Sequence, residues 1–593
     1  MAFPSTKEGT TAFGNELLVR AARAPNPDRT IRIMRTREYP KQIWYFLSCF
    51  IALVSFFQAI SFLVRRYRRS GTSGVLGDSE KGPREPSSGS RIQWRRLPYA
   101  VANLYRIVAF RSTVTMGSYS LNLAEVLVTF MYIIALFTWT FIRTTSSSGV
   151  KFQISYWANR SGVLASSQFP LITVLGTKNN ALSLITGISY EKLNYLHRMT
   201  ARVVFVLLCL HAGSRIRLGV DEDLGEHWFQ MGVTAGCAFL LLCLVSVRPL
   251  RARSYELFFY SHMVLVLLIL VGAYSHTAQF HFQKYVLPCL LIWGLDRFIR
   301  GIRLVLFNYS YFSFSSSTRT SLDANVELLS PDCVRLTLKR PPHFHWSAGQ
   351  TAYLIMPTVS TLPFEAHPFT IASIDFTVGT ATTEEGDSPP ATPTGEKKAA
   401  GPSFCKELIF LINPRGGVTK RLAEAAEKEV TIKTYIDGPY GHSPDLSSYD
   451  TSVFVAGGSG VSYTLPMFLV TVKRVRDGTS RCRKVTFIWC IRGSESIHWI
   501  SEALGNTILL APRSLDMSIC IFVTRAESQV ARLANTENIS PTSSTNPLGT
   551  ATSILLNLPP NLRGEVIWLF LSVDLSPLPA LYAKPFVFQF LAR

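Results

Sequence analysis

Charge is scarce in this chain: Asp, Glu, Lys and Arg make up 17% of its 593 residues, while aliphatic, aromatic and cysteine residues make up 47%. Soluble domains carry about a quarter of their residues charged. That shortfall, with a positive mean hydropathy, is unusual for a soluble protein and fits a membrane protein with a soluble part attached. Acidic residues are scarcer than basic ones, 39 against 60, and the net charge is +21. A nucleic-acid partner is nevertheless not expected. The basic residues gather in short runs beside apolar segments ("RRYRR" at 65–69, "RRL" at 95–97, "RPLRAR" at 248–253, "DRFIRGIR" at 296–303), as membrane-helix anchors do and phosphate-tracking stripes do not. The ten cysteines include no CxxC pair, which argues against a disulfide framework or a zinc site. Residues 1–40 lack a compact apolar core, so no cleavable signal peptide is expected. Their arginine content leaves a mitochondrial transit peptide as the alternative.

Seven apolar stretches are long enough to span a hydrocarbon core of about 30 Å: 42–64, 121–142, 161–177, 193–213, 230–247, 255–276 and 283–305. Residues 99–118 are mixed and Arg-interrupted and suit an interfacial helix. Residues 70–90, rich in Gly, Ser, Pro and charge, are expected to form a flexible loop. The loops after the first, fifth and seventh stretches are basic, whereas "VDEDLGEHW" and "HTAQFHFQ" are acidic or neutral. Positive-inside bias then puts the amino terminus outside and everything after about residue 305 in the cytoplasm.

Beyond 305 the texture changes to alternating short strands and a few helices. "CVRLTLKRP", "TAYLIMP" and "ELIFLINP" read as strands of a small barrel. From about 450, "SVFVAGGSGVSYTLPMFLV" reads as strand, loop and helix, and "KVTFIWCIR" and "SICIFVTR" as further strands, a pattern that makes a mostly parallel sheet. A Thr, Pro, Gly and Glu-rich insert at 377–403 is expected to be a disordered surface loop.

Two apolar segments carry paired histidines at the same spacing: "HRMTARVVFVLLCLH" (His197, His211) and "HMVLVLLILVGAYSH" (His262, His276). Fourteen helical residues advance roughly 21 Å and return to within about 40° of the same face. Each helix can therefore present one imidazole near each membrane side. Packed in parallel, the two helices pair His197 with His262 and His211 with His276. A lone histidine near a helix end is usually interfacial or hydrogen-bonded. Four in matched pairs, in a setting where ionisable groups are generally functional, match two bis-histidine haems stacked across the bilayer. Zinc is less suited, because the two members on one helix are too far apart to share an ion. His227, His281, His343 and His345 lack this geometry.

"NYLHRMTARVVFVLLCLHA", preceded by "PLITVLGTKNNALSLITGISYEKL", resembles the transmembrane domain of fungal ferric-chelate reductases, within the ferric reductase/NADPH oxidase superfamily. "HPFTIAS" (367–373) resembles their flavin signature, and "PRGGVTKRL" (414–422), "DGPYG" (437–441) and "AGGSG" (456–460) follow in the family's order. The resemblance runs from about residue 95 to about 525. It implies a multi-domain fold: a polytopic α-helical membrane domain holding bis-histidine haem, then a β-barrel FAD-binding domain, then an α/β NADPH-binding domain of ferredoxin-reductase type. The expected boundaries are a tail at 1–41, the haem domain at 42–305, the FAD domain at 306–445 and the NADPH domain at 446–593.

The implied cofactors are two haem b groups, FAD and NADPH. His367, Pro368, Phe369, Thr370 and Ser373 would offer an aromatic face and hydroxyls to the flavin. Gly416, Gly417 and Thr419 would meet its pyrophosphate, although an ordinary tight turn accounts for them too. Gly438 and Pro439, with Gly441, serve the flavin site or shape a turn before the next domain. Gly457, Gly458, Ser459 and Gly460 would bring backbone close to the NADPH pyrophosphate at a helix start. Cys490 reads equally as structural or catalytic.

The resemblance implies NADPH-dependent reduction of ferric or cupric chelates, siderophores included, at the plasma membrane. An iron permease or multicopper oxidase would act downstream. An NADPH oxidase delivering electrons to oxygen is the nearest alternative, and an inactive haem-binding paralogue another. The chain departs from the family after "IFVTR": neither a Gly-Arg-Pro-like element nor a late Cys-Gly-Pro segment follows. The tail "LRGEVIWLFLSVDLSPLPALYAKPFVFQFLAR" holds prolines, Asp574 and Lys584, so an eighth span is not expected. It reads as an unfamiliar closing segment or as the product of an altered splice site or truncated gene model.

Overall fold

The computed structural model describes residues 27–70, 104, 107–116, 119–308, 323–341, 343–375, 406–428, 431–524 and 566–569. Of the loop expected at 70–90 only Ser70 is described, as the end of a helix; the insert at 377–403 and most of the closing tail lie outside these residues, as does the tail before residue 27. The chain divides into two compact units, Met1–Ile60 with Lys81–Arg297 and Ser61–Glu80 with Phe298–Arg593.

The first unit is helical. Helix α1 (Pro27–Ser70) begins well before the apolar stretch predicted at 42, and the Trp44 indole donates to the Ser167 carbonyl at 2.9 Å. A hairpin of β1 (Thr113–Met116) and β2 (Tyr119–Asn122) precedes α2 (Leu123–Phe141). Asn122 and Glu125 cap α2 reciprocally, at 2.9 and 3.1 Å, a capping box that satisfies two amide donors. From Thr113 on, the hairpin replaces the interfacial helix expected over 99–118; before it, the described residues are helical at Leu104 and form a π turn at Ile107–Arg111. The β-branched run Thr113, Val114, Thr115 prefers a pleated backbone to a helix.

The single stretch predicted at 161–177 is two helices, α3 (Ile154–Ser167) and α4 (Phe169–Gly176). They join at Gln168, whose backbone stays right-handed helical, and Pro170 fills the first turn of α4, where its missing N–H costs nothing. The short α5 (Ala181–Thr186) leads to the long α6 (Tyr190–Leu218). Then come α7 (His227–Val245), the short basic α8 (Arg248–Arg253), α9 (Tyr255–Ala278) and α10 (Leu287–Phe307).

Among the described residues, five helices are long and apolar enough to cross a membrane: those at 28–63, 123–141, 190–218, 227–245 and 255–278. Leu136, Leu164, Val204 and Leu207 are wholly buried in the unit's core. Phe130, Val264 and Leu127 remain exposed, an apolar outer surface that suits lipid rather than water.

In the second unit, two antiparallel sheets share one core. Strands β3 (Asn325–Ser330), β4 (Cys333–Arg340) and β7 (Lys406–Ile412) form one; β6 (Ala366–Thr370), β5 (Thr351–Ile355) and β8 (Tyr435–Tyr440) form the other. Leu336, Leu354, Phe410 and Ile436 are buried between them. Helix α11 (Val418–Ala426) follows β7. The parallel sheet has the order β12-β11-β10-β9, from Val566–Leu569, Asp516–Val523, Lys484–Ile491 and Thr451–Gly457. Helix α12 (Val461–Arg476) leads from β9 to β10, and α13 (Ser501–Leu510) from β10 to β11. Strict alternation of buried residues along β10 and β11 is the period-two pattern that marks a strand.

Candidate redox site

In the membrane-type unit, the fourteen-residue spacing puts the histidines of α6 and α9 face to face at two levels. The imidazole centroids of His197 and His262 are 6.3 Å apart, and those of His211 and His276 are 6.2 Å apart. Because the pairs match in order, α6 and α9 run parallel, as the sequence predicts. An imidazole nitrogen lies about 2 Å from a bound metal and about 1 Å from its own ring centre, so two imidazoles ligating one ion from opposite sides have centroids about 6 Å apart. Both pairs meet that separation. Among the described residues, no group of three or more His, Cys, Asp or Glu gathers for a metal ion.

Neighbouring backbone fixes the tautomer of three imidazoles. His211 Nδ1 lies 2.7 Å from the Ala158 carbonyl, His197 Nδ1 2.8 Å from that of Ile172, and His276 Nδ1 3.0 Å from that of Trp228. A carbonyl only accepts, so each Nδ1 carries the proton and each Nε2 keeps a free lone pair. This is the arrangement metal-ligating histidines adopt.

A glycine lies under each of these three rings. A Cβ on Gly162 would stand 2.8 Å from the His211 ring, one on Gly176 3.0 Å from His197 Nδ1, and one on Gly232 2.9 Å from His276 Cε1. Each glycine follows its carbonyl partner by four residues, one helical turn. The cradle is thus a carbonyl and a glycine on α3, α4 or α7. None of these six residues was singled out from the sequence. The signal was available: Gly162 and Gly176 are fourteen residues apart, like the histidines they seat.

The second unit brings the remaining candidates to two places. "HPFT" forms β6, paired with β5 in the register Leu354 to His367 and Ala352 to Phe369. Phe369 packs on the barrel core and Pro368 is exposed. The Nε2 of His367 is buried without a hydrogen bond among the described residues and lies 3.6 Å from the Glu365 carboxylate. Ser373 Oγ is engaged with β7, accepting from the Ile409 amide at 3.2 Å. Gly416 and Gly417 face open space; Gly417, at φ 54° and ψ −128°, takes a backbone available to glycine. Thr419 Oγ1 accepts from the Arg415 amide at 3.0 Å, which braces that loop. On β8, Gly438 lets the Ala352 backbone approach within 3.1 Å of where a Cβ would stand, and Pro439 follows it. The buried Asp437 beside them accepts from Arg300 Nε at 2.9 Å and from the Tyr440 hydroxyl at 2.6 Å.

The second place is the β9–α12 turn. Gly457, Gly458 and Gly460 face open space, with Ser459 in the same 3-10 turn, and the buried Trp489 indole donates to the Gly458 carbonyl from beneath at 3.0 Å. Glycine backbone with open space around it, at a helix start after a parallel strand, suits a pyrophosphate. Burial pushes the Cys490 thiol above its ordinary value, so it stays protonated at neutral pH, as a packing residue would.

Three regions of the chain match known family models. Residues 161–273 match "Ferric reductase like transmembrane component", 318–380 match "FAD-binding domain", and 449–558 match "Ferric reductase NAD binding domain". In these three regions, in this order, the chain is similar to fungal ferric reductases. A probable cell surface ferric reductase of Aspergillus oryzae is 30% identical over 58% of this chain and 45% of its own length. Ferric reductase transmembrane component 3 of Saccharomyces cerevisiae is 27% identical over 52% of this chain and 39% of its own length. Ferric/cupric reductase transmembrane component 2 of the same yeast is 26% identical over 52% and 39%. The alignments thus span less than half the length of these relatives. A ferredoxin NADP+ reductase from Neisseria gonorrhoeae with bound FAD and NADP covers 42% of the chain at 12% identity and a TM-score of 0.23, too low to bear on the fold.

Proposed function

We propose that this chain is a transmembrane ferric-chelate reductase of the fungal ferric reductase family. It takes electrons from cytoplasmic NADPH and delivers them to ferric, or cupric, chelates on the far side of the plasma membrane, with FAD and two b-type haems as resident groups. The observation that carries the reading is the two levels of facing imidazoles, 6.3 and 6.2 Å apart, on one pair of apolar helices. FAD supplies the change from a two-electron donor to single-electron delivery, and the haem irons carry single electrons.

The chain's own residues hold and orient these groups. His197 and His262 serve the haem on the cytoplasmic side, His211 and His276 the outer one. The carbonyls of Ala158, Ile172 and Trp228 keep Nε2 free on three of the four. Val204 and Leu207 on α6, with Leu265 and Ile269 on α9, are buried and keep water from the depth between the two levels. His367, Pro368, Phe369 and Thr370 serve the flavin ring, with Ser373 and Gly438–Pro439 bracing its strands; Gly416, Gly417 and Thr419 serve its pyrophosphate. Gly457, Gly458, Ser459 and Gly460 serve NADPH. The reduced metal released is the substrate class of the permease or multicopper oxidase expected downstream.

The test is surface reduction of a ferric chelate by cells expressing the chain, with and without His211→Ala. The reading expects robust reduction that the substitution abolishes. Superoxide release without chelate reduction would favour the oxidase alternative. Purified protein whose flavin absorbance does not bleach on adding NADPH would favour an inactive paralogue.

A further inference from the structure

Three of the four imidazoles sit in the same cradle, a carbonyl at one position and a glycine four residues on. The cradles repeat with a fixed period. Ala158 and Gly162 are followed fourteen residues later by Ile172 and Gly176, in step with His211 and His197 on the antiparallel α6. On the other side, Trp228 and Gly232 seat His276. The same step of fourteen along α7, against the fourteen from His276 back to His262, leads to the Leu242 carbonyl and residue 246. The helical register persists that far, because the Ser246 amide donates to the Leu242 carbonyl at 3.0 Å. Residue 246 is serine, not glycine. His262 is also the one ligand candidate whose Nδ1 is buried with no hydrogen-bond partner among the described residues.

We infer that Ser246 is a positioning residue: its Cβ occupies the space a glycine leaves under the other three rings and holds His262 off the Leu242 carbonyl. The inference rests on the haem reading above and deepens it. A Cβ at the three glycines would come within 3.0 Å of ring atoms, so a side chain at the fourth position forbids the same seating. An Nδ1–H given to a carbonyl makes the imidazole more basic and favours the more highly charged ferric iron. His262 lacks that donation. The haem of His197 and His262 is therefore easier to reduce than it would be with a complete set of cradles. In the proposed direction of flow this is the haem that receives electrons first, so Ser246 favours their entry from the flavin side.

The test is a spectroelectrochemical titration of the purified, haem-loaded full chain in detergent, comparing wild type, Ser246→Gly and Ser246→Ala. The inference expects Ser246→Gly to lower one haem midpoint and leave the other unmoved, while Ser246→Ala, which keeps the Cβ, moves neither. If both variants shift a midpoint equally, the hydroxyl rather than the Cβ governs His262 and the inference is overturned. Two unmoved midpoints in both variants overturn it as well. Fewer than two haem waves in the wild type would instead sink the two-haem reading beneath it, a failure distinct from the others because the variants are not needed to see it.

Discussion

At Gly232 one methyl group would collide with the imidazole of His276, whose ring lies within 3 Å of the position a Cβ would take. Gly162 and Gly176 stand in the same relation to His211 and His197. These glycines are needed for closeness, not for backbone freedom, since none of the three has a positive φ. Overpacking a well-filled site costs about 1–3 kcal/mol, and here the displaced group is a proposed haem ligand. Gly232→Ala is therefore expected to lower bound haem towards one per chain and to reduce thermal stability. Gly213→Ala, on the same helix as His211 but with no heavy atom within 4 Å of its would-be Cβ, is expected to leave haem content at the wild-type value. Pyridine haemochrome assay and thermal unfolding in detergent check both. Equal haem content in the two variants contradicts the cradle.

At the scale of elements, the legible parts of the sequence were those governed by a single period. The matched spacing of the histidines predicts facing pairs and parallel helices, and the alternation of "KVTFIWCIR" and "SICIFVTR" predicts β10 and β11, all as found. Breaks inside an apolar run were not legible. Gln168 and Pro170 look like ordinary members of the stretch at 161–177, yet they divide α3 from α4. The Val566–Leu569 strand was hidden too, because its place beside β11 depends on a long-range pairing (Ile519 with Val566) that no local pattern announces.

The charged anchor of β8 is likewise an element-scale feature. Asp437, nearly inaccessible, binds Arg300, itself mostly buried. Removing one partner of a buried pair costs about 3–5 kcal/mol because the other charge is left without compensation. Asp437→Ala is expected to destabilise the second unit by that order and to weaken FAD retention, since β8 carries Gly438 and Pro439. Differential scanning fluorimetry of flavin release checks it; a wild-type release temperature contradicts it.

For the whole molecule, composition and basic clusters point to an apolar helical part followed by a strand-rich part. The five apolar helices and the parallel sheet agree with that division. What composition could not supply was the second layer around the histidines. Which carbonyl meets which Nδ1 is set by how α3, α4 and α7 register against α6 and α9, and a register is a property of packed helices, not of either helix alone. The same consideration explains why the exception at Ser246 is invisible until the three regular cradles are aligned.

The central claim is that two facing imidazole pairs hold two haems at different depths in one helix pair. Haem stoichiometry of the purified full chain tests it most directly, measured with the wild type, His262→Ala and His211→Ala. The account predicts two haems per chain with a bis-histidine low-spin spectrum in the wild type, and the loss of one from each variant. Unchanged haem content and spectrum in both variants would contradict it.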